Sequence, residues 1–498
     1  MKKLQNIILY TLLLLHFPVF YTSNNISELS MSAFIELLGI TFVIGFIIII
    51  TISIILRVIK KPINPIIVLI GIFLFFSYGI FYQGLIDDES HVRHVILLPI
   101  FAMVFLVALK YSPKSTKKTT QIIFSMLIIL MMSDLFTFFS EYEYESAGEY
   151  WNFSEDFDNM ELENFPSIIW IIPDEYPSYD SLQVMTSYDN SNFINNLTDM
   201  GFEIKDMRSN YDFSAYSIPS TMNMEYITKT DKHFDVGKEM SNSRLVKLLQ
   251  SSNYELTHIN GEGGYHLDNF DNNLCDHNII LRNANYFDTN MVLPILIFTQ
   301  PLYVNIVYDH VRNVECHFEE LREVKNINSE QKFVLAHVLL PHRPHLMEDE
   351  GGSLKKRGND HLRNPEEGLI GNIEIVNQKL IESLPIIIEN NPNTIILIMS
   401  DHGFRYDPDA DFQKATEFQK FRYDNFVAIY LPNNFELENN VNSNINIFRS
   451  IFQNASENIP ILEDRFFHVC YTEIKEFYDF ENYTLGSKKL FKDNCLIN

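Results

Sequence analysis

Long apolar runs fill the first 140 residues of the chain, and the pattern changes sharply after them. Five runs approach or exceed the roughly 20 residues that an α-helix needs to cross a bilayer. They cover about residues 4–21, 34–56, 65–84, 95–109 and 120–139. The fourth run is the shortest. The pattern predicts an α-helical transmembrane domain of about five helices over residues 1–140.

Lysine and arginine cluster in alternate connections between these runs, and this bias predicts the orientation. The clusters comprise Lys2, Lys3, Arg57, Lys60, Lys61, Lys110, Lys114, Lys117 and Lys118. The other connections carry Glu28 and the acidic patch at 87–89. If all five runs span, the N-terminus lies inside and the chain after about residue 140 lies outside the cytoplasmic (inner) membrane, in the periplasm or the extracellular space. Residues 1–21 could instead be a cleaved signal peptide, but no clear small-x-small site follows, and the side would not change.

The remaining residues have the pattern of an α/β protein. An acidic, aperiodic segment at 141–164 is interpreted as a juxtamembrane linker. Short apolar runs then alternate with helix-period segments, as in the runs SIIWIIPDEY (167–176) and TIILIMS (394–400) and the helical segment 373–390. Strands alternating with helices predict a mostly parallel sheet covered by helices, here over residues 165–498.

Charge and cysteine content narrow the function classes. The formal net charge is -26 and the pI about 4.9, which argues against a nucleic-acid partner because phosphate backbones require basic patches. An anionic substrate must then be attracted locally, by a metal or a few cations. All four cysteines fall in the predicted outer part, where disulfides can form. Of three possible connectivities, we predict Cys275 with Cys316 and Cys470 with Cys495.

Three predicted buried strands end in acids or imidazoles. They end in Asp174 and Glu175, in His342, and in Asp401 and His402. One such ending is ordinarily a turn, but ligands of parallel sheets gather at the carboxyl ends of the strands. Three endings that converge there would provide oxygen and nitrogen donors for a divalent cation, with Zn, Mn, Ca and Mg all conceivable.

A hydroxyl-rich stretch lies between a predicted strand and a predicted helix. It reads SNYDFSAYSIPSTMNMEY over 209–226. A helix N-terminus favours a bound anion. A serine hydroxyl is a weak nucleophile unless a base or a metal lowers its pKa. The stretch therefore offers a nucleophile that a nearby cation would activate.

The order of these motifs resembles a known family. Strand-Asp-Glu, SNYxxSxxSxxSxxNMEY, LPHRP, SDHGFR and NFVAIYLPNNF follow one another between about 165 and 465. This order resembles the sulfatase-like branch of the alkaline phosphatase superfamily. The nearer likeness is to membrane-anchored enzymes similar to lipoteichoic acid synthase and phosphoethanolamine transferases, which also join about five spans to an outer catalytic domain.

The resemblance implies roles for individual residues. Asp174, Asp401 and His402 would bind the metal, with Glu175 as a further ligand. Ser214 stands where many relatives have threonine, so its hydroxyl would be both the nucleophile and a metal-bound group.

Two further side chains follow from the same resemblance. His342 matches a histidine that contacts the transferred group or the leaving group. Arg405 would contact an anionic substrate, although as a loop cation it has an equally simple explanation.

A competing register exists in the hydroxyl stretch. Ser217-Ile-Pro-Ser220 resembles the C/S-x-P-S-R core of true sulfatases, whose first residue becomes formylglycine. Thr221 replaces the required arginine and no cysteine is present. We therefore favour Ser214 as the nucleophile, and sulfate-ester hydrolysis becomes the alternative activity.

The resulting expectation is a metal-dependent, membrane-bound transferase. It would move a phosphoglycerol-like or phosphoethanolamine-like group from a lipid-derived donor to an envelope glycan or lipid through a phospho-Ser intermediate. Two alternatives stay open: a phosphodiesterase or sulfuric ester hydrolase of the same superfamily, and a non-catalytic partner in polysaccharide assembly.

Overall fold

A computed structural model describes most of the chain, which its contacts divide into two compact units. The first unit contains the five N-terminal helices, and the second contains the described residues from 150 onward. The described residues are 2–24, 31–60, 64–85, 92–111, 117–142, 150–153, 157, 160–229, 234–260, 267–275, 310–325, 331–343, 345–348, 354–356, 365–405, 419–432, 435–438, 441–456, 458–470 and 473–477.

Each predicted apolar run lies within one helix of the first unit. The helices are α1 (Lys2–Asn24), α2 (Met31–Val58), α3 (Pro65–Leu85), α4 (Val92–Tyr111) and α5 (Lys117–Tyr142). Among the residues that the structure describes, one stretch, Thr41–Val58 of α2, has the length and mean hydropathy (18 residues, 2.6) to cross a membrane. The apolar stretches of the other four helices are shorter. The helices are confirmed, and the number of membrane spans stays a prediction.

Helices α1, α2, α3 and α5 share an apolar cluster that includes Leu13, Leu56 and Phe76. One polar contact joins α1 to α5: His16 Nδ1 lies 2.9 Å from Asp134 Oδ2. Asp134 is buried. Its carboxylate is therefore paired within the bundle.

The second unit alternates strands with helices as predicted. Its strands are β1 (Ser167–Pro173), β2 (Glu203–Arg208), β3 (Glu255–Ile259), β4 (Asn272–Leu274), β5 (Lys332–Val338), β6 (Leu346–Glu348), β7 (Leu354–Lys356), β8 (Thr394–Met399), β9 (Asp424–Tyr430), β10 (Phe466–Cys470) and β11 (Glu473–Phe477). Its α-helices are α6 (Tyr179–Thr186), α7 (Ser191–Asp199), α8 (Ser214–Asn223), α9 (Val236–Ser241), α10 (Arg244–Ser251), α11 (His310–Glu323), α12 (Pro365–Asn390) and α13 (Ile447–Gln453).

The main sheet has seven strands in the order β2-β9-β8-β1-β5-β3-β4. Strand β9 is antiparallel to both of its neighbours, and all other described pairs in this sheet are parallel. The prediction of a mostly parallel sheet is therefore confirmed. Strands β8, β1 and β5 are adjacent, so the three endings singled out in the sequence lie side by side.

Strand β1 explains why its sequence shows no polar alternation. Ile169 and Ile171 face one apolar cluster, which α6, α7, α11 and α12 complete. Ile168, Trp170 and Ile172 face the other cluster, which α8, α10 and α13 complete. Because successive side chains of a strand point to opposite faces, a strand covered on both sides reads as a continuous apolar run.

A disulfide and a hydrogen bond from the linker are further contacts of the second unit. Cys275 and Cys316 form a disulfide, as predicted. The second predicted pair includes Cys495, which lies outside the described residues. In the linker, the buried Trp151 donates its Nε1–H to Glu239 Oε2 at 2.6 Å, which fixes this part of the linker to α9.

Candidate active site

Backbone hydrogen bonds join the loops that follow β1 and β5. The Asp174 N–H donates to the Val338 carbonyl, and the His342 N–H donates to the Asp174 carbonyl, both at 3.0 Å. The loop after β8 is bonded to the loop after β1, because Ser400 Oγ donates to the Tyr176 carbonyl at 2.7 Å. Polar groups from three strand ends are thus fixed at one edge of the sheet.

Asp174, Asp401 and His402 form a compact buried group. One potential ligand atom from each side chain lies within 4.8 Å of the other two. Their exposed fractions are 4%, 1% and 2%. Two carboxylates and an imidazole so placed are a donor set suited to a divalent cation.

Unpartnered atoms in this group support that interpretation. Asp174 Oδ1 and Asp401 Oδ2 are buried with no hydrogen-bond partner. A buried carboxylate oxygen without a partner is costly unless a cation satisfies it. His402 Nδ1 lies 2.8 Å from the Gly403 carbonyl, so Nδ1 carries the proton and Nε2 presents its lone pair to the site. These residues fit a metal ion.

The charges within the group are strongly coupled. Burial would lower the pKa of His402, but the carboxylates of Asp401, Glu175 and Asp174 raise it. Burial, together with the charge of Asp174, raises the pKa of Asp401. Two neighbouring buried carboxylates repel each other. A dication would remove this repulsion.

Glu175, the further ligand that the resemblance implies, lies next to the three-residue group. Its side chain is not part of the three-residue group, and its Oε1 lies 3.9 Å from His342 Nε2. Its backbone N–H donates to Asp401 Oδ1 at 3.1 Å. That contact accompanies a left-handed backbone, with φ of 61°, which is uncommon outside glycine. Glu175 therefore orients Asp401 through its backbone and faces His342 through its side chain.

Ser214 is the first residue of α8 and lies beside the metal-ligand group. Its Oγ is 3.3 Å from His402 Nε2, and its side chain is partly exposed. The N-terminus of a helix favours a bound anion, and Ser214 stands at that end of α8. The hydroxyl is placed to contact both a bound cation and an incoming anionic group.

Ser217, the alternative nucleophile, is buried and hydrogen-bonded to the backbone. It is 1% exposed, and its Oγ donates to the Asp401 carbonyl at 2.6 Å. Its Oγ also lies 3.0 Å from Ser209 Oγ. These bonds hold the metal-ligand loop against α8, and they leave the hydroxyl facing away from solvent.

His342 and Arg405 both interact with Glu175, next to the three-residue group. Partial burial would lower the pKa of His342, but Glu175 and Asp174 raise it. Its Nδ1 lies 2.6 Å from the Arg343 carbonyl, so Nε2 points toward Glu175. Partial burial and the charge of Arg422 lower the pKa of Arg405, which also interacts with Glu175.

His337 also lies at the site, although no sequence motif singles it out. It lies on β5, with Nε2 buried and 3.5 Å from Asp174 Oδ2. Burial would lower the pKa of His337, but the Asp174 carboxylate raises it. In the sheet, His337 of β5 pairs with Ile172 of β1, two residues before Asp174, and this register explains why the two side chains meet.

Gly403 leads to a testable prediction about the loop after His402. A Cβ at this position would lie 2.0 Å from the Phe421 carbonyl oxygen and 2.7 Å from that of Asp424. Both are backbone atoms, so the loop itself must move. We expect Gly403→Ala to cost about 1–3 kcal/mol of unfolding free energy, in the range of overpacked cores. Metal affinity should fall with it, as measured by thermal unfolding and chelator competition.

Gly371 is the matched control for this substitution. It lies within α12, where an added Cβ would meet only the Leu346 carbonyl at 3.7 Å. Gly371→Ala should keep metal binding and be neutral or stabilising, because alanine favours helices. Equal behaviour of the two variants would contradict the steric argument.

No protein-family model and no curated protein sequence matches the chain. Solved structures do match it. The C-terminal periplasmic domain of EptC from Escherichia coli, in complex with Zn, is 12% identical over 65% of this chain and 95% of that one, with a TM-score of 0.43.

Two other solved structures are of related kinds. The integral membrane lipooligosaccharide phosphoethanolamine transferase A from Neisseria meningitidis is 10% identical over 93% of this chain and 97% of that one (TM-score 0.38). A candidate sulfatase from Bacteroides fragilis is 14% identical over 61% and 77% (TM-score 0.37). The matched structures include the kinds of enzyme that the residue pattern resembles. At these TM-scores, the function must be argued from the site itself.

Proposed function

We propose that this protein is a metal-dependent, membrane-bound transferase that moves a phospho-substituent by way of a covalent phospho-Ser intermediate. The observation that supports it most is the placement of Ser214 Oγ 3.3 Å from His402 Nε2, beside the buried Asp174 and Asp401. A partly exposed hydroxyl at a helix N-terminus, next to a divalent-cation ligand set, is suited to attack on an anionic ester.

The ligands for the metal would be Asp174, Asp401 and His402, together with the Ser214 hydroxyl. A divalent cation bound there would lower the pKa of the hydroxyl and offset negative charge on the phosphoryl oxygens. Carboxylate and imidazole donors suit Zn and Mn, and Ca and Mg are further candidates. Glu175 is not required as a ligand, because its backbone already orients Asp401.

The reaction would have two transfers. Ser214 Oγ, which is partly exposed, gives its proton to solvent and attacks phosphorus; the Oγ–P bond forms, and the bond from phosphorus to the donor alcohol breaks. The departing oxygen takes a proton from His342 Nε2, whose protonated form Glu175 favours. An acceptor hydroxyl then attacks the phospho-Ser and passes its proton to His342, the Oγ–P bond breaks, and Ser214 Oγ regains a proton from solvent.

The chain has a net charge of -26, so an anionic substrate needs cationic side chains close to the site. Arg405 and His342 border the site, so an anionic phosphodiester is attracted there despite the acidic surroundings. Arg405 would contact the non-bridging oxygens. The same cations would serve a sulfate ester, which keeps the sulfuric ester hydrolase as the alternative.

The donor and acceptor classes follow from the membrane domain and from the resemblance. A catalytic unit joined to membrane helices has direct access to phospholipid head groups. We propose a phosphoethanolamine or phosphoglycerol head group as the transferred part and an envelope glycan or lipid as the acceptor. With water as acceptor, the same residues would make the protein a phosphodiesterase.

One experiment tests the proposal and separates these activities. The purified full chain would be reconstituted with Zn or Mn in vesicles containing phosphatidylethanolamine or phosphatidylglycerol with labelled head groups. We expect diacylglycerol release and a labelled adduct on the peptide that contains Ser214. Free head-group phosphate without transfer to added acceptors would indicate a hydrolase. Turnover of a sulfate ester alone, or no turnover of either ester, would refute the proposal.

The proposed location leads to a second prediction. Because the basic clusters lie in alternate connections, we expect all five helices to span and residues 140–498 to lie outside the cytoplasmic membrane. Alkaline phosphatase fused after residue 498 should be active, and a fluorescent reporter that requires the cytoplasm should be dark. Fluorescence without phosphatase activity would overturn both the topology and the oxidising environment assumed for the disulfides.

A further inference from the structure

A second group of charged side chains lies buried behind the nucleophile, and the reaction described above does not use it. It consists of Asp212, Arg422 and His468, which are 2%, 4% and 1% exposed. Asp212 precedes Ser214 by two residues. Arg422 ends the short 3₁₀ turn Gln419–Arg422, and His468 lies on β10. Three distant parts of the chain therefore meet at one carboxylate.

The geometry of the group is that of a hydrogen-bonded ion cluster. His468 Nδ1 lies 2.7 Å from Asp212 Oδ2, and Arg422 Nη1 lies 3.1 Å from the same oxygen. The Val469 N–H approaches Asp212 Oδ1 at 3.4 Å. Burial would raise the pKa of Asp212, but His468 and Arg422 lower it below its ordinary value. The carboxylate is ionised and paired.

The backbone before Asp212 is attached to the same strand. The Phe467 N–H donates to the Asn210 carbonyl at 2.8 Å. Asn210 Nδ2 donates to the Arg465 carbonyl at 2.9 Å. The ring of Tyr211 stacks on that of Phe467, with centroids 5.1 Å apart and an interplanar angle of 12°. Strand β10 thus holds each residue from Asn210 to Asp212, up to the start of α8.

Arg422 connects this cluster to the metal-ligand loop. Its carbonyl accepts the Gly403 N–H at 2.8 Å, directly after His402. The two side-chain partners of Asp212 therefore lie on strand β10 and in the turn whose carbonyl binds the Gly403 N–H. Asp212 thus lies between these two attachments, two residues before Ser214.

Stability alone does not explain such a cluster. Replacing a buried ion pair by apolar side chains is often neutral or stabilising, because desolvating the charges is costly. Reactions between bound groups depend steeply on position, and a displacement of about 1 Å can lower the rate about a hundredfold. The cluster lies where such a displacement would matter most.

We propose that His468 is a positioning residue: through its hydrogen bond to Asp212, it holds Ser214 Oγ at the distance and angle from which it attacks. The proposal rests on Ser214 being the nucleophile. Strand β10, near the end of the described chain, is then a functional part of the active site through its contacts with the residues that precede Ser214.

The test compares two substitutions at His468 in the full-length protein. In His468→Asn, the amide Nδ2 can donate in place of imidazole Nδ1, whereas His468→Leu removes the donor. The measurements are the single-turnover rate of adduct formation on Ser214 with a chromogenic phosphodiester, kcat, KM, and the dissociation constant for Zn or Mn. We expect His468→Leu to lower the adduct rate and kcat about a hundredfold, with KM and metal affinity near those of the parent, and His468→Asn to restore most of the rate.

Two further variants keep the test decisive. His317, buried within α11, bonds through Nδ1 to the Asn313 carbonyl of its own helix, so His317→Leu removes a buried imidazole donor away from Ser214. Its kcat should equal that of the parent. If His468→Leu does not fold, Asp212→Asn replaces it, since it keeps the shape and removes the charge, and its adduct rate should fall in the same way.

The outcomes separate the two hypotheses. If the parent forms no adduct on Ser214, the proposed function is wrong. If the parent forms the adduct and His468→Leu matches its rate, the positioning role is wrong. The role is also refuted if the leucine and asparagine variants are equally slow, or if metal affinity falls in parallel with the rate.

Discussion

Replacing Ser214 by alanine is expected to abolish turnover while the metal stays bound. The substitution removes the Oγ that lies 3.3 Å from His402 Nε2 and leaves Asp174, Asp401 and His402 unchanged. Loss of the nucleophile lowers kcat by at least about a thousandfold in enzymes that form a covalent intermediate. Metal content and thermal unfolding should stay close to those of the parent. Steady-state assays with a chromogenic phosphodiester, together with metal analysis, measure both.

Two companion variants test which serine attacks. Ser214→Thr should keep much of the activity, because a threonine in this place presents the same oxygen. Ser217→Ala removes the bond to the Asp401 carbonyl, so it should lower stability and metal affinity more than the intrinsic rate. Normal turnover of Ser214→Ala combined with an inactive Ser217→Ala would reverse the assignment and favour the sulfatase-like S-x-P-S register. Mass spectrometry of the trapped adduct identifies the modified peptide directly.

The strands that carry the site were predictable because their physical signal is local. TIILIMS and SIIWIIP are apolar on both faces, and the structure buries every residue of β8 and β1. The rule that ligands gather at the carboxyl ends of parallel strands then places Asp174, His342 and Asp401 at one edge of the sheet from the sequence alone. The antiparallel direction of β9 carried no such signal, since direction depends on the path of the connecting chain.

The roles of the serines could not be settled from sequence. Ser214 and Ser217 are separated by less than one helical turn, and both are followed by plausible motif residues. The start of α8 at Ser214 determines that one side chain meets the site while the other meets the Asp401 carbonyl. The exact start of a helix is a poorly encoded feature, because Phe213 precedes it where a side-chain capping residue is usual.

Residues that act through long-range contacts were missed for a related reason. His468 lies 256 residues from Asp212 along the chain, and its partner is fixed only by how β10 packs against the turn before α8. The left-handed backbone of Glu175 also could not be predicted from the sequence, because glutamate rarely adopts this conformation. Its side chain lies 3.9 Å from His342 Nε2, a contact between distant residues that the sequence does not indicate. Composition and periodicity report burial, and they do not report which buried polar groups meet.

In the membrane domain, too, the helices could be predicted from the local sequence, whereas contacts between distant residues could not. Five apolar runs predicted five helices, and each helix is present. Which of them cross a bilayer depends on length and partners as well as composition, and within the described residues only Thr41–Val58 meets the combined test of length and hydropathy. His16 and Asp134, which pair between α1 and α5, could not be matched from the sequence.

Asp401→Asn is expected to remove the metal while keeping the fold. The carboxylate uses Oδ1 to accept the Glu175 N–H, and an amide oxygen can accept the same bond. Its Oδ2 is buried without a hydrogen-bond partner, 3.4 Å from His402 Nε2, and this is the atom that the substitution makes into a neutral donor. Burial and the Asp174 charge raise the pKa of Asp401, so the apoprotein already disfavours a second charge there. The variant should therefore fold at least as well as the parent without metal, but it should bind metal far more weakly.

Thermal unfolding with and without metal shows the difference most clearly. A ligand that binds only the folded state stabilises it by about 2.7 kcal/mol at a hundred times its dissociation constant. Added Zn or Mn should raise the Tm of the parent and leave that of Asp401→Asn unchanged, and phosphodiester turnover should be lost. Asp180→Asn, on the exposed face of α6, removes the same charge away from the site and should behave as the parent. Parental metal content and a metal-dependent Tm in Asp401→Asn would reduce Asp401 and His402 to a strand-terminal turn, because a cation held by the three-residue group cannot be indifferent to the loss of one of its two carboxylates.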